Sequence, residues 1–390
     1  VSTTPIRLGV AGLGRAFMLM LPTLVRHPGV QLVACADPRE SARQTFASDF
    51  GGAGYNSVEE LCADPRVEAI YLATPHQFHV DHVRLAARAG KHVLVEKPMA
   101  LTLADCEAMT AAADAGGVHL MVGHSHSYDT PYLRTAQLIA SGEFGPVRMV
   151  NALNCTDYLY RPRRPEELIT EEGGGAIFSQ APHQVEVTRL LAGSRIKTVR
   201  ASAGIWDEAR GTEGAYGAFL TFENGAAATI AYNGYGHFDT DALANWTGEM
   251  GQARDANAYG TSRAALKNVK TRAEEAALKE KRAYGVNLNA ATVRATPVPA
   301  AYNHFGFFLV SCERGALRPQ PDGVEVYGNE SKRVEPLPPV SVPRAEVIDE
   351  LAGALRDGKA PLHDGQWAMH TVQVCIALLE SSRMQKEIAL

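Results

Sequence analysis

Five short apolar runs, ending at Ala11, Ala36, Ala73, Val95 and Val122, constrain this chain more than any other feature. Ile6–Ala11, Val30–Ala36, Ala69–Ala73, His92–Val95 and Val118–Val122 are too short for ordinary helices, and turn residues bound them. The stretches between them, Ala16–Arg26, Arg39–Phe50, Val58–Ala63 and Gln77–Ala89, read as helices, and Thr102-x-x-Asp105 reads as the start of another. Strands that alternate with helices imply a parallel sheet, so the fold class expected for residues 1–125 is a doubly wound α/β domain. In such a sheet the carboxyl ends of the strands share one edge, and ligands bind there.

The first strand runs into Gly12-Leu13-Gly14-Arg15, and a helix begins at Ala16. Strand, glycine turn and helix together make these five residues a candidate dinucleotide-binding turn, because N–H groups and the helix dipole favour a pyrophosphate. Phe17 stands where a third glycine is usual, so the helix must pack differently there. Asp37 ends the second strand, where an acid accepting from the ribose 2′-OH would favour NAD. Arg39 and Arg43 follow closely and keep NADP open.

Thr74, Pro75, His76, His79, Glu96, Lys97, His124 and His126 belong to the same edge. Pro98 disfavours the α region for Lys97, giving that lysine a defined direction at the strand end. His124-x-His126 invites a zinc reading, but no acidic or thiol partner is spaced to complete it, and no metal is expected.

From about Asp129 the pattern changes, and residues 126–390 are expected to form a substrate and oligomerisation domain. After a helix over Thr130–Ser141 come strands at Val147–Cys155, Val199–Trp206, Ala215–Phe222, Ala226–Tyr235, Tyr302–Val310 and Gly323–Tyr327. Few helices interrupt them, which predicts an α+β domain with a mostly antiparallel open sheet. Gly173-Gly174-Gly175 would let the chain pass close to a ligand before a helix over Phe178–Leu191 that carries His183. Arg161, Arg163 and Arg164 lie on a proline-stiffened loop. Either they form a site for carboxylates or they pair with Glu166, Glu167, Glu171 and Glu172, and both readings stay open. Residues 237–300 read as a variable surface insertion containing one helix over Ser262–Arg282, and Arg344–Arg356 and Gly365–Lys386 read as C-terminal helices.

A formal charge of −5 argues against a general nucleic-acid binder. The six cysteines form no CxxC pair and suit a reducing compartment. Val1-Ser2-Thr3-Thr4-Pro5 lacks the basic and apolar regions of a signal peptide, and no run approaches a membrane span. A cytoplasmic protein without a membrane or nucleic-acid partner is the expectation.

Taken in order, Gly12-Leu13-Gly14-Arg15, Asp37-Pro38, Ala73-Thr74-Pro75-His76-x-x-His79, Glu96-Lys97-Pro98 and Gly173-Gly174-Gly175-Ala176 with His183 resemble the glucose–fructose oxidoreductase, inositol dehydrogenase and MocA-like family. The resemblance implies a Rossmann domain binding NAD (or NADP), with Gly12 to Ala16, Asp37, Arg39, Thr74 to His76, His79, Glu96 and Lys97 at the cofactor. It implies that Lys97 assists proton transfer, that His183 orients or relays that proton, and that the Lys97–Pro98 bond is cis. His124, His126, Arg161, Arg163, Arg164, Ser179 and His183 would then meet the substrate, and the open sheet face would build a homodimer or homotetramer. Residues 9–17, 75–79, 160–168 and 234–239 resemble the family's dihydrodiol dehydrogenases of phthalate degradation, implying a carboxylated cis-diol as substrate. Two departures stand out. Ser179 replaces a common aspartate, and Ser125-His126 replaces a common asparagine–arginine pair. The rival readings are a sugar, polyol or uronate dehydrogenase and a sensor that binds NAD(H) without turnover.

Overall fold

The structure is a computed structural model that describes residues 4–390, so the first three residues of the stretch weighed as a signal segment lie outside the described residues. The chain forms two units. The first takes the chain up to His124 and adds residues 276–298 and 342–372; the second takes 125–275, 299–341 and 373–390. The first segment ends at His124, beside the boundary expected after 125, and two later segments return to the first unit. They are tied there by Arg26 Nη2 donating to the carbonyls of Val293 at 2.7 Å and Thr296 at 2.8 Å, and by Arg356 gripping Glu68.

In the first unit, β1 (Ile6–Ala11), β2 (Val30–Ala36), β3 (Ala53–Tyr55), β4 (Ala69–Leu72), β5 (His92–Val95) and β6 (Leu120–Val122) form a parallel sheet in the order β3-β2-β1-β4-β5-β6. The helices are α1 (Arg15–Leu24), α2 (Glu40–Phe50), α3 (Val58–Ala63), α4 (His79–Arg88) and α5 (Leu103–Gly116). Every residue of β4 is buried, as expected of a strand covered on both faces. The register pairs Ala11 with both Ala36 and Leu72, Leu72 with Val95, and Val95 with Val122. The five strand ends therefore lie on one line, and the order reverses between β1 and β4, where open α/β sheets bind ligands. The Thr102 box forms as read: Thr102 Oγ1 accepts from Asp105 N at 3.1 Å, and Gly117 closes α5.

The second unit is built on nine strands. They are β7 (Val147–Cys155), β8 (Ile196–Gly204), β9 (Ala215–Phe222), β10 (Ala227–Asn233), β11 (Phe307–Cys312), β12 (Gly315–Gln320), β13 (Gly323–Gly328), β14 (Lys332–Pro336) and β15 (Ile388–Ala389). Their order is β14-β13-β12-β11-β7-β10-β9-β8-β15, antiparallel except for the β7–β10 pair. One face, with Val150, Leu220, Ile230 and Phe308 buried, packs against α6 (Thr130–Ala140) and α8 (Ala181–Ala192).

Two helix readings are corrected. The helix expected over Phe178–Leu191 is two, α7 (Gly175–Ser179) and α8, with Pro182 inside the first turn of α8. The surface helix expected over Ser262–Arg282 is also two, α9 (Thr261–Leu266) and α10 (Arg272–Glu280). Residues 237–300 are not simply a surface insertion either. Glu275 of α10 is buried against Arg210 in the second unit, and α11 (Ala290–Ala295) belongs to the first. The C-terminal helices are α12 (Ala345–Asp357) and α13 (Gly365–Met384). No helix among the described residues is long and apolar enough to cross a membrane.

Candidate active site

Each unit has its own cluster. In the first, Gly12 turns the chain off β1 with φ +88°, and a Cβ there would sit 2.8 Å from the Ala73 carbonyl oxygen. Only glycine tolerates both conditions. Gly14 precedes α1, which Arg15 and Ala16 open with no side-chain cap and no acid in its first turn. A Cβ on Gly14 would meet nothing within 4 Å, so that side of the turn is open. An open glycine turn leading into a helix N-terminus without a side-chain cap fits a dinucleotide pyrophosphate.

Asp37 is buried, and all four of its acceptor positions are taken. Oδ2 accepts from Leu13 N at 2.8 Å and from Arg39 Nη2 at 3.0 Å, while Oδ1 accepts from Arg39 N at 2.9 Å and Arg39 Nε at 3.0 Å. Three of those four donors belong to Arg39, which covers the acid where a ribose contact is expected. Arg43 turns away to the carbonyls of Asp37 and Pro38.

Thr74 Oγ1 lies 3.0 Å from His82 Nδ1, and Pro75 leads into the single turn that begins at His76. His79, read as a cofactor residue, is a bracket instead. Its two nitrogens face the carbonyls of Met99 at 3.1 Å and Thr74 at 3.0 Å, and burial pushes its pKa down to about 4. The Lys97–Pro98 bond is cis, and so is Gly123–His124. Glu96 accepts from the Tyr71 hydroxyl; burial raises its pKa, against the pull of Tyr71, Lys97 and Arg344 toward the charged form. Lys97 is half-buried and follows β5 directly, on the line of strand ends.

In the second unit, His126 is the hub. Its Nδ1 lies 2.6 Å from Asp129 Oδ2 and its Nε2 3.3 Å from Glu249 Oε1. Burial would lower its pKa, but the two carboxylates outweigh burial and raise it. Burial likewise opposes ionisation of Glu249, yet His126 and Arg161 bring its pKa down to about 2. Arg161 Nη1 approaches Glu249 at 3.8 Å, and its Nε donates to Asp157 at 2.7 Å. The His183 ring stands edge-on to His126 at 4.8 Å, and Phe305 packs on both. His126, His183 and Arg161 thus come together as read.

Arg163 and Arg164 do not join them. Arg163 lies over the Tyr158 ring at 3.7 Å and donates to the Tyr158 carbonyl at 2.6 Å, while Arg164 pairs with Glu166 at 2.9 Å. Pairing with the loop's own partners holds for these two. Ser179 bonds the Tyr158 phenol, and the glycine run passes close to Glu213: a Cβ on Gly175 would lie 2.2 Å from Glu213 Oε1. Among the described residues, no group of three or more His, Cys, Asp or Glu side chains is placed to hold a metal.

Residues 6–124 match the model of an oxidoreductase family with an NAD-binding Rossmann fold, and residues 132–254 match the GFO/IDH/MocA C-terminal domain. This chain belongs to the Gfo/Idh/MocA family of oxidoreductases. One relative, the 1-carboxy-3-chloro-3,4-dihydroxycyclohexa-1,5-diene dehydrogenase of Comamonas testosteroni, is 45% identical over 97% of this chain and 95% of its own. The crystal structure of a dehydrogenase from Bordetella bronchiseptica superposes with a TM-score of 0.92 at 40% identity, covering 99% of this chain and 100% of that one. The WlbA dehydrogenase of Bordetella pertussis, solved with NADH and UDP-GlcNAcA, shares the fold at TM-score 0.68 and 21% identity, over 99% of each chain.

Within this Gfo/Idh/MocA framework, sequence reasoning missed Asp129, Asp157 and Glu249. His126 to Asp129 is one turn apart, a spacing that could have been read as a pair. Glu249 carries no such signal, since 123 residues separate it from His126.

Proposed function

We propose that this chain is an NAD-dependent dehydrogenase that oxidises a carboxylated cyclohexadiene cis-diol to a catechol. The similarity carrying this reading is the one to the Comamonas testosteroni enzyme, which spans nearly the whole chain and whose name specifies such a carboxylated diol. NAD is preferred to NADP because Asp37, bonded to Leu13 N of the dinucleotide turn, would repel a 2′-phosphate, while Arg39 is held on Asp37 and the Leu13 carbonyl and Arg43 Nη1 is held on the Asp37 carbonyl. The cofactor, when bound, supplies the acceptor for the hydrogen that leaves the ring carbon with its electron pair. Lys97 Nζ takes the proton from the hydroxyl on that same carbon, so that its oxygen becomes a carbonyl, and the hydroxy-enone so formed tautomerises to the catechol. By the family resemblance, His183 would orient or relay that proton; within its own unit its position is set by packing against His126 and Phe305.

Three arginines on one loop would suit the phthalate diol, with two ring carboxylates. With Arg163 and Arg164 engaged by their own loop, Arg161 is the one arginine of the three beside the His126 cluster. That supports a single ring carboxylate.

The test is NADH formation from mono- and dicarboxylated cyclohexadiene diols, inositol and glucose, with the wild type and Lys97→Met. The monocarboxylated diol should turn over fastest. Lys97→Met should lose about 10²–10⁴-fold in turnover while still binding NAD⁺. Preference for inositol or glucose sinks the substrate reading; unchanged turnover in Lys97→Met sinks the base.

A further inference from the structure

Residues 283–290, from the part of the chain least readable in sequence, lie against the dinucleotide turn. Tyr284 N donates to the Leu13 carbonyl at 3.2 Å, and the Tyr284 ring meets Phe17 edge-on at 5.2 Å. Phe17 occupies the third-glycine position, so the side chain that departs from the fingerprint is the one the strap grips. Gly285 has φ +77°, and a Cβ there would lie 2.9 Å from Ala42 Cα, so the strap lies flat on α2. Asp49, also on α2, fastens both ends: its Oδ2 accepts from the Tyr284 hydroxyl at 2.5 Å and from Ala290 N at 2.7 Å.

The strap also reaches Arg39. Arg39 Nη1 donates to the Tyr284 carbonyl at 3.2 Å, Nη2 to the Leu13 carbonyl at 2.9 Å, and Nε and Nη2 to Asp37. Four of the five guanidinium N–H groups are committed, and the charge faces a carboxylate. An arginine so held has no fork left to offer a phosphate.

We propose that the 283–290 strap is a wall of the cofactor's adenosine subsite and sets its preference for NAD⁺ over NADP⁺ by holding Arg39 against Asp37. This rests on the reading that the chain binds NAD. Arg39 follows the acid at the expected ribose position, so a 2′-phosphate there would need Arg39 to swing out. With the strap fastened, a 2′-phosphate meets Asp37 and a guanidinium that is already spent. With the strap loosened, Arg39 loses one acceptor and the ordering of Leu13, and it can turn to the phosphate.

Equilibrium binding of NAD⁺ and NADP⁺ to the full chain by calorimetry, with hydrogen exchange at the 284 and 290 amides, tests this in Asp49→Ala and Tyr284→Phe. Asp49 is partly exposed, and Tyr284→Phe removes one hydroxyl, so one variant remains informative if the other fails to fold. In Asp49→Ala both amides should exchange faster, and the ratio of NADP⁺ to NAD⁺ affinity should rise about tenfold, mostly through tighter NADP⁺ binding. Tyr284→Phe should move it the same way by less. Faster exchange with an unchanged ratio overturns the proposal and leaves NAD binding standing, whereas a wild type that binds neither dinucleotide overturns both.

Discussion

At the scale of single residues, the second unit replaces a missing charge by an unrelated route. Where an aspartate would accompany His183, Ser179 is turned to Tyr158. Acidity near His183 comes instead from Asp129 and Glu249, which hold His126 between them. A histidine between two carboxylates is a cation over a wider pH range than an isolated one. Its folded pKa lies above the ordinary 6.5, so its contribution to stability is full below 6.5 and fades as the pH climbs through the raised value. Glu249 works the other way: its contribution is full above 4.5 and is lost as the pH falls toward about 2. Both are present together between 4.5 and 6.5. Glu249→Gln should therefore lower stability by about 1.5–3 kcal/mol in that window, and the gap to the wild type should narrow on either side. Thermal unfolding followed by circular dichroism across pH reads this directly. A gap that never narrows as the pH is carried from 6.5 far into the alkaline range would mean that no charged His126 contributes to it.

At the scale of elements, what was legible followed from local periodicity. The strand ends at Ala11, Ala36, Val95 and Val122 come out on one line because buried parallel strands are short apolar runs with abrupt ends. The split of 262–282 into α9 and α10 was not legible, because the reason for α10 lies elsewhere in the chain. Glu275 accepts from both terminal nitrogens of Arg210 at 2.8 Å and from Arg163 N at 2.8 Å, and it is 3% exposed. In sequence it is one acid in a charged run, indistinguishable from Glu274. The structure separates the two. Glu275→Ala strands a buried guanidinium and should cost about 3–5 kcal/mol, whereas Glu274→Ala, which removes the exposed acceptor of Lys270 N, should cost about 0.5–1 kcal/mol. Denaturant unfolding of the two variants side by side decides it. Equal effects would show that the Arg210 pair does not anchor α10.

At the scale of the whole molecule, the nine-stranded sheet has helices on one face and side chains of mixed character on the other. Phe219 on β9 pairs across to Thr229 on β10, which pairs to Asn151 on β7, and Met149 lies two residues before Asn151 on the same face. Phe219 is 41% exposed and Met149 37%, on strands that elsewhere bury their large apolar side chains. A nine-stranded sheet face with exposed apolar groups is a surface suited to self-association, and a two-fold pairing lets the same patch serve both copies. We propose that a second copy of the chain covers this face. The substitution Phe219→Asp puts a charge into the centre of that contact without touching the helix-covered core. It should weaken association on the order of a hundredfold, since an unpaired carboxylate would have to be desolvated. Sedimentation velocity of the wild type should show a dimer or tetramer, and the variant should shift toward monomer while keeping its NAD⁺ affinity, because the dinucleotide turn belongs to the other unit. A wild type that sediments as a monomer, or a Phe219→Asp variant that assembles unchanged, would remove this face from the assembly.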